Sequence, residues 1–127
     1  MMTGTVTARC EAVLPLTLRD AQGQDQAHNV LVDTGYNGWL TLPPAVISAL
    51  GLRWQRYGRA ILADGSEAVF NIYEGIILWD GQPLMIDIDE IDADALMGMS
   101  LMRGYELVLP VAVGATFTLR PIARPQP

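Results

Sequence analysis

The sequence predicts an all-β domain with one or two short helices. Strand-like apolar runs recur along the 127 residues, and turn residues separate them. Two Asp-Gly pairs, Asp64-Gly65 and Asp80-Gly81, each stand between such runs. That pairing is a strong hairpin signal, because Asp-Gly readily takes the positive φ angles of a tight turn. Closely spaced strands with frequent turn residues fit a small barrel or a sandwich-like fold.

The first strand signal lies in residues 6–18, with Val13, Leu14, Leu16 and Leu18. A polar turn containing Gly23 follows at residues 20–24. Val30-Leu31-Val32 is the next strand, and Trp39-Leu40-Thr41-Leu42 resumes extended structure. Pro43-Pro44 opens the clearest helix, since proline is tolerated in a first helical turn. Val46, Ile47 and Leu50 share one face of it by their i, i+3, i+4 spacing, and Gly51 is a suitable stop. Between the two Asp-Gly turns, residues 68–79 form one long strand or two broken near Glu74-Gly75. Residues 84–88 alternate loosely. Residues 96–102 are apolar, with Gly104 placed to cap a short helix. Residues 105–111 and 116–122 make a last hairpin around Gly114.

Composition sets the class. The length suits one domain spanning residues 1–127, with enough chain for a core that needs no disulfide staples. Half the residues are hydrophobic and 17% are charged, which opposes disorder. A formal charge of −6 disfavours phosphate backbones, so no nucleic-acid partner is expected. Cys10 is the only cysteine, which excludes an internal disulfide or a cysteine metal cluster. No stretch approaches the ~20 apolar residues that span a bilayer, and the N-terminal residues lack signal-peptide character. The expectation is a cytoplasmic protein without membrane, metal or cofactor.

Asp33-Thr34-Gly35 carries the most chemical information. It ends the run Val30-Leu31-Val32 and precedes Tyr36-Asn37-Gly38. The arrangement presents a carboxylate at a strand end on a tight, backbone-rich loop. Thr34 has a hydroxyl for hydrogen bonding, and Gly35 permits close backbone approach. Asp and Gly at such a place also serve ordinary turn chemistry.

Two further features follow in order: the Asp64-Gly65 hairpin tip, and the pair Leu96-Met97 followed by Gly98. With these three the chain resembles the retropepsin-like aspartic proteases, the retroviral proteases and their single-domain bacterial relatives. The resemblance covers roughly residues 12–122, leaving 123–127 as a flexible tail. It is carried by Val32-Asp33-Thr34-Gly35-Tyr36-Asn37-Gly38-Trp39-Leu40-Thr41-Leu42-Pro43, by Leu62-Ala63-Asp64-Gly65-Ser66 and by Met97-Gly98-Met99-Ser100-Leu101. It implies a small closed β-barrel-like fold and peptide-bond hydrolysis. Asp33 would be the catalytic carboxylate, with Thr34 and Gly35 shaping its loop. The hairpin at residues 61–70 would be a flap, with Ala63, Asp64 and Gly65 at its tip. Tyr36, Asn37, Met97 and Gly98 complete the implied substrate-binding set, Met97 and Gly98 by supporting the loop. Tyr36 stands where Ala or Ser is common in the family, Ser100 where Asn or Asp is common, and the flap tip is charged rather than glycine-rich.

Aspartic proteolysis needs two carboxylates that share a proton. The chain has one D-T-G, and Asp20, Asp64 and Asp80 lack the Thr-Gly frame. A complete dyad therefore requires a homodimer, with Thr34 hydrogen-bonding across the twofold axis. The alternative is a non-catalytic peptide-binding or dimerisation module on the same fold. A regulatory partner of another protein has no positive support in the residues.

Other residues have plainer readings. His28, without a nucleophile-elbow motif, is expected as a surface or turn residue. The acids Asp87, Asp89, Glu90, Asp92 and Asp94 do not follow a calcium-loop pattern and are expected on a solvated edge strand or loop. Trp39, Trp54 and Trp79 read as core or interface, and Met85, Met97, Met99 and Met102 as gap-filling core.

Overall fold

A computed structural model describes residues 1–123. In chain order its elements are β1 (Met2–Val6), β2 (Ala12–Arg19), β3 (Asp25–Val32), β4 (Leu40–Leu42), α1 (Pro44–Leu50), β5 (Arg53–Ile61), β6 (Glu67–Trp79), β7 (Gln82–Glu90), β8 (Leu96–Met97), α2 (Met99–Met102), β9 (Tyr105–Val108) and β10 (Thr116–Pro121). The protein is mostly β with two short helices. The expected tail from residue 124 onward lies outside the described residues.

Alternation decides which face each strand buries. Leu14, Leu16 and Leu18 of β2 are buried, while Pro15 between them is exposed. β2 turns into β3 through residues 20–24, where Asp20 Oδ1 accepts from the backbone N–H of Gln22 and of Gln24, both at 2.9 Å. β3 begins at Asp25, earlier than its apolar run suggests, because its polar first half pairs antiparallel with β2. His28 lies in that half opposite Leu16, with Nε2 buried, so it is a strand residue and not a surface or turn residue.

The two Asp-Gly turns close the hairpins β5–β6 and β6–β7. β6 runs unbroken through Gly75. β2 also pairs antiparallel with β6, at Thr17–Leu78 through Arg19–Ile76. β7 pairs parallel with β4, β4 antiparallel with β8, and β8 parallel with β3. These ladders run through β2, β3, β8, β4, β7 and β6 and return to β2. β5 extends from β6, while β1, β10 and β9 extend from the other end of β2. β1 is a strand of its own, divided from β2 by a turn in which Cys10 takes φ 62°.

The core is one cluster inside this arrangement. Leu40, Leu50, Ile77, Ile88, Met97, Phe117 and Leu119 are fully or almost fully buried within it. Each such side chain contributes about 1.5–3 kcal/mol relative to exposure. Ile47 and Leu50 are the buried face of α1, which ends at Gly51 in the left-handed conformation. Trp79 and Met102 join the core, but Trp39, Trp54, Met85 and Met99 are exposed, contrary to the core reading of their types. Exposure follows position: Trp54 lies on the outermost strand β5, and Met85 points away from Ile86 and Ile88. The acidic run departs from expectation in part: Asp92 and Asp94 are exposed on the loop after β7, as expected. Asp87, Asp89 and Glu90 stand on β7, which is flanked by both β6 and β4 and is not an edge.

Thr41 is the one buried polar side chain among the described residues, at 3% exposure. Its Oγ1 accepts from Leu96 N–H at 2.9 Å and so ties β8 to β4. Thr41→Val keeps the shape and orphans a backbone donor, so it should cost about 1–3 kcal/mol. Thr41→Ser should retain most of the stability. Urea unfolding monitored by tryptophan fluorescence checks both, and an unchanged midpoint for Thr41→Val would remove this bond from the account.

Candidate active site

β3 ends at Val32, and the chain turns sharply. Asp33 N–H still follows the sheet, donating to Met97 O at 3.0 Å, and Leu31 N–H donates to Ala95 O at 2.8 Å. The Asp33 side chain then closes the loop from within: Oδ1 accepts from Gly35 N–H at 2.9 Å. Tyr36 N–H donates to Asp33 O at 3.2 Å. Asp33 is half-buried, while Thr34, Gly35 and Asn37 are exposed. A carboxylate is thus presented on a loop whose tip faces outward.

The rest of the loop is held by the segment after β8. Gly98 N–H donates to Trp39 O at 3.0 Å, Met99 N–H to Tyr36 O at 2.8 Å and Ser100 N–H to Gly38 O at 3.1 Å. Ser100 Oγ donates to Asn37 O at 2.5 Å. Ser100 therefore hydrogen-bonds the loop without the Asn or Asp of the resembled family. Gly98 has no room for a side chain: a Cβ there would overlap the Gly38 carbonyl oxygen and the Tyr36 ring. Met97 is fully buried. Met97 and Gly98 thus brace the loop through backbone and packing.

Tyr36 reaches across to β7. Its hydroxyl donates to Asp89 Oδ2 at 2.5 Å, joining the Asp33 loop to β7. Burial, then the hydrogen bond to Asp89, pushes the Tyr36 phenol far above its usual range. Burial and the nearby Asp87 carboxylate raise Asp89, while the Tyr36 hydroxyl and the Arg56 guanidinium oppose that shift. Arg56 itself pairs with Asp87 at 2.7 Å.

Beside this link lies a cleft of about 450 Å³, with Tyr36, Asp89, Leu62, Val69 and Phe70 among its lining. Its size falls in the usual range for ligand sites. Asp33 is not part of that lining; Tyr36 is its nearest contributor in sequence. The hairpin tip is a tight turn, with Leu62 N–H donating to Ser66 O at 2.8 Å, Asp64 capping Ser66 N–H at 2.9 Å, and Gly65 at φ 84°. The tip residues Ala63, Asp64 and Gly65 lie outside the cleft lining, which takes Ala60, Leu62, Ala68, Val69 and Phe70 from the hairpin instead. The tip lies in the turn between β5 and β6, beyond the strand residues that wall the cleft.

Asp89, Glu90 and Asp92 also line the cleft, and sequence reasoning passed over them as a solvated charge run. The available signal was the alternation on β7, which sets Asp87 and Asp89 opposite the buried Ile86 and Ile88. No group of three or more metal-ligating side chains occurs among the described residues. Nor is any helix among them long and apolar enough to cross a membrane. Searches against family models, curated proteins and solved structures find no significant match to this chain.

The Tyr36–Asp89 bond has a pH signature. The Tyr36 hydroxyl favours the ionised form of a partly buried carboxylate, so Tyr36→Phe should cost about 1 kcal/mol at neutral pH, a figure reduced for partial exposure. Asp89 has a raised folded pKa, so its neutral form is the one the fold prefers. The cost of Tyr36→Phe should therefore shrink as pH falls through the Asp89 range, which lies above the ordinary carboxylate value of about 4. Above about pH 10 the wild type loses stability because its buried phenol resists ionisation, and the Phe variant escapes that loss. Denaturant unfolding of both proteins across this range tests it. A pH-independent difference would place the interaction elsewhere.

Proposed function

We propose that this chain is one subunit of an aspartic endopeptidase on a retropepsin-like, closed-barrel fold, with Asp33 of two copies forming the catalytic dyad. The observation that carries the reading is the Asp33 loop. It leaves β3, is pinned by the backbone of residues 97–100, and holds a half-buried carboxylate beside an exposed Thr34 and Gly35. The ring of ladders through six strands supports the barrel. The long β5–β6 hairpin beside the cleft supports the flap.

Chemistry follows from pairing the carboxylates. Two such groups at close range hold one proton between them. The ionised member takes a proton from water as its oxygen attacks the scissile carbonyl carbon. The protonated member donates to the carbonyl oxygen, giving a tetrahedral intermediate. Proton transfer to the amide nitrogen then lets the C–N bond break, releasing a carboxylic acid and an amine. The peptide would lie extended along the cleft, held by main-chain hydrogen bonds.

A twofold partner needs a surface at the loop. Thr34 shares a hollow with Met99, Met102, Tyr105 and Leu107, and Met99 is 47% exposed. The exposed Met99 and Thr34, with Arg103 at the same hollow, fit burial by a second copy.

Asp33→Asn should reduce cleavage of a mixed peptide library by about 10²–10⁴-fold without loss of folding. Sedimentation of the wild type should show a dimer at the concentrations that support turnover. Undiminished activity in Asp33→Asn, or turnover by a strict monomer, would sink the reading. Thr34→Val should weaken the dimer by about 1–3 kcal/mol, making activity more dependent on protein concentration. Thr34→Ser should behave nearly as wild type in the same dilution series, and equal dimer dissociation for Thr34→Val and wild type would exclude the cross-axis hydrogen bond.

A further inference from the structure

We infer that the cleft beneath the β5–β6 hairpin is a subsite for the lysine or arginine side chain of an extended peptide, with Asp89, Glu90 and Asp92 receiving the cationic head. The inference rests on the peptidase reading for the role of the bound peptide. The chemistry of the cleft stands on its own residues.

Its walls are apolar. Leu62, Val69 and Ile91 line it and are 49%, 61% and 37% exposed, large side chains that the chain itself leaves uncovered. Phe70 and Leu96 continue the surface. Such walls suit the aliphatic stem of a long side chain, which buries its methylenes while its head seeks polar partners.

The far requirement is an anion, and three carboxylates supply it. Asp89 accepts from Tyr36 and Glu90 accepts from Asn71 Nδ2 at 3.0 Å, both neutral donors. Neither donor cancels the negative charge, and each carboxylate keeps spare acceptor positions. Asp92 is exposed on the loop after β7. No arginine lines the cleft. Arg56 is engaged with Asp87 at 2.7 Å, and Arg59 faces Glu67 at 3.9 Å. Burial together with Asp87 holds Asp89 above its ordinary range, and the Arg56 guanidinium, engaged with Asp87, opposes that shift without reversing it.

Competing occupants fit less well. A purely apolar side chain would desolvate the carboxylates without compensating them. An acidic one would add like charge. A metal ion fits less well, because these carboxylates line the cleft without gathering into a group of three that could hold one. The chain's net charge of −6 adds a long-range attraction for basic peptides.

Binding of short, fluorescently labelled alanine-based peptides, each with one variable residue, tests the assignment by anisotropy. The Asp33→Asn protein is used so that no turnover intervenes. Peptides carrying Lys or Arg should bind about tenfold tighter than one carrying norleucine, and tighter still than one carrying Glu. That preference should fall with added salt and should vanish in Glu90→Gln/Asp92→Asn. Should the double variant fold poorly, Asp92→Asn alone, on an exposed loop, should reduce the preference severalfold. Equal binding of the norleucine and Lys peptides would overturn the inference, as would a preference that survives in a folded Glu90→Gln/Asp92→Asn protein. Absence of binding by any peptide would overturn it too. A Lys or Arg preference in binding, with no cleavage by wild type of any of these peptides, would leave the subsite standing and remove the peptidase reading.

Discussion

The structure depends on two residues of backbone, Leu96 and Met97, inserted between strands that would otherwise have no common neighbour. β8 pairs parallel with β3 on one side and antiparallel with β4 on the other. Ala95 O and Met97 O accept from Leu31 and Asp33, and Leu96 N–H finds Thr41 Oγ1. So short a strand is held by having almost every polar backbone group paired, and by burying Met97 completely. Without it, β3 and β4 would each expose an unpaired edge in the middle of the fold. The same insertion aims Asp33. The residue's own N–H is the last rung of the β3–β8 pairing, so the carboxylate is placed by the sheet and not by a free loop.

Rigidity is distributed unevenly around this centre. The Asp33 loop is braced by residues 97–100, by Tyr36 reaching Asp89 and by a Gly98 that lets backbones touch. The β5–β6 hairpin is the opposite case. Most of β5 is exposed, and one of its edges has no partner strand. Segments with few buried contacts open locally at low cost.

Local chemistry was largely legible in the sequence; arrangement was not. The Asp-Gly turns, the Pro43-Pro44 start of α1 and the Gly51 stop each follow from φ preferences of single residues, and each stands where the residues put it. β1 and the polar half of β3 were missed, because neither carries its own apolar signal; both are strands through pairing with neighbours. The acidic run was misplaced for a related reason. Charges on Asp87 and Asp89 suggested an edge, but alternation lets one strand bury Ile86 and Ile88 while its other face carries carboxylates. At the site, Asp33 and its loop were visible as a motif. Met97 and Gly98 were singled out as supports of that loop, and they pack and hydrogen-bond against it. The bond from Tyr36 to Asp89 spans 53 positions and had no local trace.

One consequence of the proposed mechanism falls on the chain as a whole. A single carboxylate at a strand end would be chemically idle in that mechanism, which needs a second carboxyl group to share its proton. Requiring a second copy places the shared proton, and so the activity, under mass action. The surface that must form the contact is then necessarily exposed in the free chain, as Thr34, Gly35 and Met99 are. The cleft, by contrast, is built within one subunit from β5, β6, β7 and the Tyr36 loop. Recognition and chemistry are thereby separable: a lone subunit retains the whole cleft, whereas hydrolysis waits on the second Asp33. Because the cleft is complete in one subunit, a peptide would favour assembly only through contacts that the dimer adds, since only a ligand bound more tightly by the dimer shifts the equilibrium toward it.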